Sequence, residues 1–260
     1  MLLVLKLVLV PGLVAAVTLA ARRWGPRIGG WFTALPIVAG PALFFLAVEQ
    51  GEAFAAEAAR ATLVALIAVV AFGITYGWVA LRTAWPASLL AGWAMFGGLT
   101  LALHALAWSS LAAFAAVLVT LAAAQGLLPP ARGRVLSAAP PVWDLPLRMA
   151  GALLVVLAVT QLAERLGPSL SGALTPFPVA LAVVLVFAHA QQGSAMAVRL
   201  LRGFLQAMWG FASFCFVLAV GMVPLGRLAA FSLAIVITLA IQGGVLWQMS
   251  AWSPLRQTRA

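Results

Sequence analysis

The sequence predicts an all-α polytopic membrane protein of about nine transmembrane helices, two inverted four-helix repeats joined by a linker helix. Three observations predict it. Hydrophobic residues make up 65% of the 260 residues and charged ones 8%, against roughly 45–50% and about 25% in soluble domains. The apolar runs approach the roughly 20 residues that a helix needs to cross hydrocarbon. The chain also matches itself when slid so that Gly25 falls on Gly167. So few charges cannot clothe a water-exposed surface, which excludes a soluble enzyme, a secreted disulfide scaffold and a disordered chain. Runs such as LVALIAVVAFGI (63–74) are continuously apolar, without the alternation of a β-barrel.

The spans follow in order at approximately 2–21, 31–48, 61–81, 84–104, 108–128, 146–163, 173–190, 203–222 and 228–249. The first has some features of a secretory signal, with Lys6 ahead of an apolar stretch and small residues near Ala20. It is read as a span because it has a counterpart later in the chain. Gly25-Pro26 precedes the second span, Pro129-Pro130 closes the fifth, Pro140-Pro141 precedes the sixth, Gly167-Pro168 the seventh, and Pro224 separates the last two. The least distinct break lies around His104 to Ser110. The resulting division is a first repeat at 1–107, a linker helix and loop at 108–145, and a second repeat at 146–260.

The repeat is carried by GPRIGGWFTALP (25–36) against GPSLSGALTPFP (167–178), aligned without a gap. Between 25–60 and 167–202, 12 of 36 positions are identical, where shared membrane composition would give roughly a tenth. Seven of the twelve are Gly, Pro, Thr or Gln rather than the abundant Ala, Leu and Val. Four spans plus one linker is an odd number, so the second copy starts on the opposite face of the membrane. The copies are therefore expected to be inverted.

The arginines test this. Alternating the spans places eleven bases on one face: Arg22, Arg23, Arg27, Arg82, Arg132, Arg134, Arg148, Arg199, Arg202, Arg256 and Arg259. The other face receives four, Lys6, Arg60, Arg165 and Arg227, together with Glu49, Glu52, Glu57 and Glu164. Basic residues accumulate on the cytoplasmic side, so the expected topology is N-terminus outside and C-terminus inside. At aligned positions Glu57 becomes Arg199 and Arg22 becomes Glu164, as expected if each copy meets the same bias from opposite sides. The net charge of +10 is thus a matter of topology, and no nucleic-acid partner is implied.

Polar residues at membrane depth are costly and default to functional candidates. Thr33 and Thr175 each stand three residues before an aligned proline, Pro36 and Pro178. Proline removes a backbone bond and frees an earlier carbonyl, so the second and seventh spans are predicted to be kinked or broken. Matching interruptions in inverted repeats point to a midplane binding site; the bland alternative is that Thr bonds its own backbone and Pro is ordinary in membrane helices. Glu49-Gln50-Gly51 and Gln191-Gln192-Gly193 end the same two spans. Each polar pair reads either as a marker of the water interface or as ligands, with Glu49 the leading proton or cation ligand. Arg23/Arg165 and Arg60/Arg202 recur in both copies, as contacts for an anion or headgroup or, for Arg60, as an i,i+3 partner of Glu57. His104 and His189 could titrate near neutrality or be passive. Asp144, the sole aspartate, is expected to be solvated in a cytoplasmic loop. With one cysteine, Cys215, no disulfide is expected; no metal site, cofactor or catalytic constellation is expected either.

The pattern of Gly30, Pro36, Glu49 and Gly51, repeated as Gly172, Pro178, Gln191 and Gly193, resembles the GlpM-like family of four-helix bacterial inner-membrane proteins. The likeness covers about 100 residues in each copy. Arg60 and Arg202 lie farther past the glycine than the family's basic residue, and the threonines are a departure. The resemblance implies architecture more than activity: two such units joined by an extra helix, and a single unit that dimerises antiparallel. The expected function is a small secondary transporter or exporter of the inner membrane rather than an enzyme, with an unknown small solute and the lipid bilayer as partners and a homo-oligomer as a possible form. The alternative is a non-transporting scaffold or regulatory subunit that binds a partner protein or lipid.

Overall fold

Apolar segments with no water to serve their backbone groups must satisfy those groups internally, and the chain does so with helices. The computed structural model describes residues 2–131, 143–166 and 178–251, and the regular elements among them are all α-helical. They are α1 (Leu2–Trp24), α2 (Pro26–Thr33), α3 (Ala39–Glu49), α4 (Glu52–Ala80), α5 (Trp85–His104), α6 (Ser110–Leu127), α7 (Asp144–Leu166), α8 (Val179–Gln192) and α9 (Ser194–Ala251). Five stretches are long and apolar enough to cross a membrane: Leu7–Trp24, Glu52–Ala80, Trp85–His104, Ser110–Leu127 and Ser194–Met249.

The other expected spans take different forms, each for a local reason. The second is split into α2 and α3, of 8 and 11 residues. Pro36 has no N–H to continue the ladder, and the chain turns through 34–38 before α3 restarts with the Gly40 amide donating to the Pro36 carbonyl at 2.8 Å. The predicted interruption is therefore a full break. The last two spans form one continuous element, α9, broken only where Gly226 leaves helical geometry at φ 75°, ψ 160°. Its limbs, 194–225 and 227–251, fold back as an antiparallel hairpin: the Gln242 amide donates to the Ala207 carbonyl at 2.9 Å and the Thr238 hydroxyl to the Gly210 carbonyl at 3.4 Å. The seventh expected span is described only from Pro178 onward, so Thr175 and the predicted break there lie outside the described residues.

A helix start recurs at the spacing of the sequence repeat. Glu52 and Ser194 open α4 and α9, separated by the offset that brings Gly25 onto Gly167. Gly51 and Gly193, related by the same offset, sit at φ 93°, ψ 166° and φ 85°, ψ 173°, a region essentially closed to residues with a side chain. The Pro36 and Pro178 carbonyls each accept from the amide four residues on, Gly40 and Ala182, both at 2.8 Å.

The core lies between α4 and α9, where Phe72, Tyr76, Phe214, Leu200, Leu205 and Met208 are fully buried. α6 packs against both helices, with Phe114 stacked on Phe216 at 4.3 Å between ring centres. α2 crosses α9 in backbone contact. A side chain at Gly30 would run into the Leu200 carbonyl, and one at Gly203 into the Arg27 carbonyl; glycine permits this approach where lipid supplies no hydrophobic drive between helices.

Three kinds of substitution separate these roles in unfolding titrations of the purified protein in detergent. Gly51→Ala and Gly193→Ala are each expected to cost about 1–3 kcal/mol through backbone strain. Gly30→Ala is expected to cost at least as much through overlap with α9. Gly98→Ala, on α5 with no neighbour within 4 Å of the new methyl, is expected to be neutral or to gain about 0.5–1 kcal/mol.

Candidate functional site

Among the described residues, side-chain contacts that join different elements lie towards the two ends of the bundle. At one end Arg22 meets Asp144, Arg27 meets Gln206, Trp78 meets the Leu127 carbonyl and Arg202 the Pro129 carbonyl. At the other, Glu52 accepts from the Arg227 amide and Arg60 donates to the Trp108 carbonyl. The first, arginine-rich end also carries the exposed indoles of Trp24, Trp78, Trp85, Trp143 and Trp247.

The densest of these contacts centres on Asp144, at the head of α7. Its carboxylate is completely buried, contrary to the expectation of a solvated loop residue. Arg22 of α1 donates to it at 2.5 Å, Arg148 at 2.8 Å and the Gln191 amide of α8 at 2.5 Å. Arg148, itself buried, also donates to the Gln191 side-chain carbonyl at 3.1 Å and lies 4.8 Å over the Phe187 ring. One carboxylate thus gathers donors from three helices, and its place in the first turn of α7 suits the positive pole of that helix. Burial pushes the Asp144 carboxyl up, but the hydrogen bonds from Arg148, Gln191 and Arg22 and the charge of Arg148 outweigh it and hold it below the usual carboxylate range.

Two residues before Gln191, His189 is buried with its Nδ1 3.3 Å from the fully buried Tyr76 hydroxyl of α4. Hence α1, α4, α7 and α8 converge at this end through titratable groups. Asp144, Arg148 and Tyr76 were not singled out as site residues from the sequence. A signal was present: the only aspartate heads an apolar helix, with Arg148 one turn on at the i,i+4 spacing of an ion pair.

The residues that were singled out are placed as follows. Thr33 is half-buried and its hydroxyl donates to the Gly29 carbonyl of its own helix at 3.0 Å; Pro36 lies in the turn at the break and Pro178 is buried at the head of α8. Glu49 and Gln50 are exposed at the end of α3, whereas Gln191 and Gln192 are half-buried at the end of α8. The aligned pairs therefore sit in different surroundings. Arg23 is exposed; the Arg165 side chain lies outside the described residues. Arg60 is engaged twice, by Glu57 and by the Trp108 carbonyl. Arg202 donates to the Pro129 carbonyl at 3.2 Å. Trp108 precedes α6 and Pro129 follows it, so the two arginines grip opposite ends of α6. His104 is exposed at the end of α5.

No family model, curated protein or solved structure matches the chain.

The Asp144 cluster sets an acid limit on stability. Because its folded-state value is depressed, its contribution is in force above the ordinary carboxylate range, near pH 3.9, and is lost as pH falls through the lowered value. Wild-type protein is expected to lose stability on acidification from pH 6 to pH 3, and Asp144→Asn to start lower, by about 3–5 kcal/mol, with a flatter profile. Melting temperatures across that range in detergent provide the check. Parallel profiles for the two proteins would remove Asp144 from the account.

Proposed function

We propose that the chain is a small secondary transporter or exporter of the bacterial inner membrane, working by alternating access between two inverted four-helix repeats. The observation that carries this reading is the interrupted helix α2–α3, whose first half lies in backbone contact with α9 at Gly30 and Gly203. Broken helices that meet the opposite repeat near the membrane centre are the sites where such transporters hold solute. The inverted arrangement is supported by the starts of α4 and α9, which recur at the repeat offset, and by Arg60 and Arg202 on opposite ends of α6. A two-fold axis through the middle of α6, in the membrane plane, would generate that pair of contacts.

In this reading α2 and α3 make one broken span, the limbs of α9 make two, and the total is nine. Each copy corresponds to one GlpM-like unit. The arginine-rich end faces the cytoplasm, which puts the N-terminus outside. Exposed tryptophans at that end suit the headgroup layer. The solute would sit where α2 ends, in reach of Thr33, Pro36 and their counterparts Thr175 and Pro178. The bilayer is the constant partner, and a homo-oligomer is compatible with the lipid-facing surface.

One observation favours the alternative of a non-transporting scaffold that binds a partner protein or lipid. The Thr33 hydroxyl is used within its own helix, and the crossing beside it is packed tightly enough to exclude a methyl group.

A thermal-shift screen of the purified protein against amino acids, mono- and dicarboxylates, sugars and metal cations separates the two. Transport predicts at least one stabilising solute, exchanged by counterflow in proteoliposomes, and loss of that stabilisation in Thr33→Val/Thr175→Val. A stabilising solute that ignores the double substitution removes the site. No stabilising solute and no counterflow leave the scaffold.

A further inference from the structure

We propose that the Asp144 cluster is a gate that holds the arginine-rich end of the bundle shut, and that its release opens a path between α1, α7 and α8. The proposal rests on the alternating-access reading and adds to it the device that controls one side.

Three features of the cluster carry it. First, it ties elements assigned to different repeats: Arg22 closes α1, while Asp144 and Arg148 open α7 and Gln191 closes α8. Any parting of the repeats at this end must break the Arg22–Asp144 pair. Second, the cluster has two satisfactory states and nothing good between them. Buried together, the carboxylate and guanidinium groups satisfy one another; fully separated, each is hydrated. A partial separation would leave a buried charge unpaired, and that penalty exceeds the value of an exposed pair. A contact with this energy profile switches rather than stretches. Third, the α7 stripe beneath it is lined by small and apolar groups. Asp144, Arg148, Ala152 and Val156 follow at i,i+4 spacing and are all buried, so the charges cap an apolar seam.

The opposite end is closed differently. The position matching Gln191 there is Glu49, which is exposed; Glu52 instead accepts from the Arg227 amide at the turn inside α9. The two ends can therefore open independently, which alternating access requires.

The experiment reads opening with no solute present, so it stands or falls apart from the transport assay. In a Cys215→Ala background, Ala152→Cys reports from beneath the cluster and Ala47→Cys, buried on α3, reports from the far end. Each is reacted with a membrane-impermeant maleimide in nanodiscs. Asp144→Asn, which keeps the size of the side chain and removes its charge, is expected to raise the Ala152→Cys rate by at least about tenfold and to leave Ala47→Cys unchanged. Arg22→Met should act in the same direction to a smaller extent, because Arg22 is partly exposed. Should Asp144→Asn fail to fold, Arg22→Met alone carries the test. Unchanged Ala152→Cys labelling in the folded variants overturns the gate. So does an equal rise at both reporters, which marks general loosening.

Discussion

A charge in hydrocarbon must be paired, or reach water, and this chain has 20 charged side chains to distribute over 260 residues. That constraint orders the rest. The helices are long and apolar, and the charges gather where helices begin and end. Arg22 and Arg23 close α1, Asp144 opens α7, Glu49 closes α3 and Glu52 opens α4. Polar links between elements follow the same rule and divide between the two ends of the bundle. Between the ends, side-chain hydrogen bonds go to carbonyls, as Gln242 and Thr238 do across the limbs of α9, and helices meet through glycine.

Much of this was legible because the responsible residues act locally. Pro36 marks the break in the second span, since the missing N–H and fixed φ belong to the residue itself, although Pro11 is carried within the continuous α1. Gly51 and Gly193 likewise mark a helix boundary by their own backbone freedom, and the offset found in the letters reappears in the starts of α4 and α9. Side-chain partners across the fold were less legible. Asp144 next to Trp143, after a proline-rich stretch, looks like a loop residue; its burial depends on Arg22 and Gln191, which lie 122 and 47 residues away. No local pattern announces contacts of that range. The same holds for Arg60 and Arg202, whose recurrence was visible but whose target, the ends of α6, was not. Thr33 is a polar residue in a suggestive place whose hydroxyl donates to a carbonyl one turn back, the local alternative that its sequence already offered.

Helix α6 is the element that gives these contacts a common geometry. Its flanks present bare carbonyls, at Trp108 before it and Pro129 after it, and an arginine reaches each one from the two long core helices α4 and α9. A guanidinium is suited to this because its donors fan out in a plane and keep their charge when partly buried. Held at both ends and stacked on α9 through Phe114 and Phe216, α6 is fixed against both long core helices.

On the inverted-repeat reading, fusion of two units in one chain also frees them to differ, and the ends of this bundle differ where an antiparallel pair of identical units could not. Identical units would place the same residues at both ends, so an ion-paired cluster at one would be repeated at the other. Here Gln191 stands in the buried cluster while its aligned partner Glu49 is exposed, and Arg22 meets Asp144 while the residue aligned with Asp144 is Leu2. The divergence includes charged and amide groups, while Gly25, Gly30, Pro36 and Gly51 are kept as Gly167, Gly172, Pro178 and Gly193; Gly226, which turns α9, has Ala84 as its counterpart. On the inverted-repeat reading, duplication preserved the scaffold by retaining residues that act through their own backbone. It then varied the residues that act through partners: among the described residues, one end holds the buried Asp144 cluster, while the other holds the exposed Glu49 and the contacts of Glu52 with the Arg227 amide and of Arg60 with the Trp108 carbonyl.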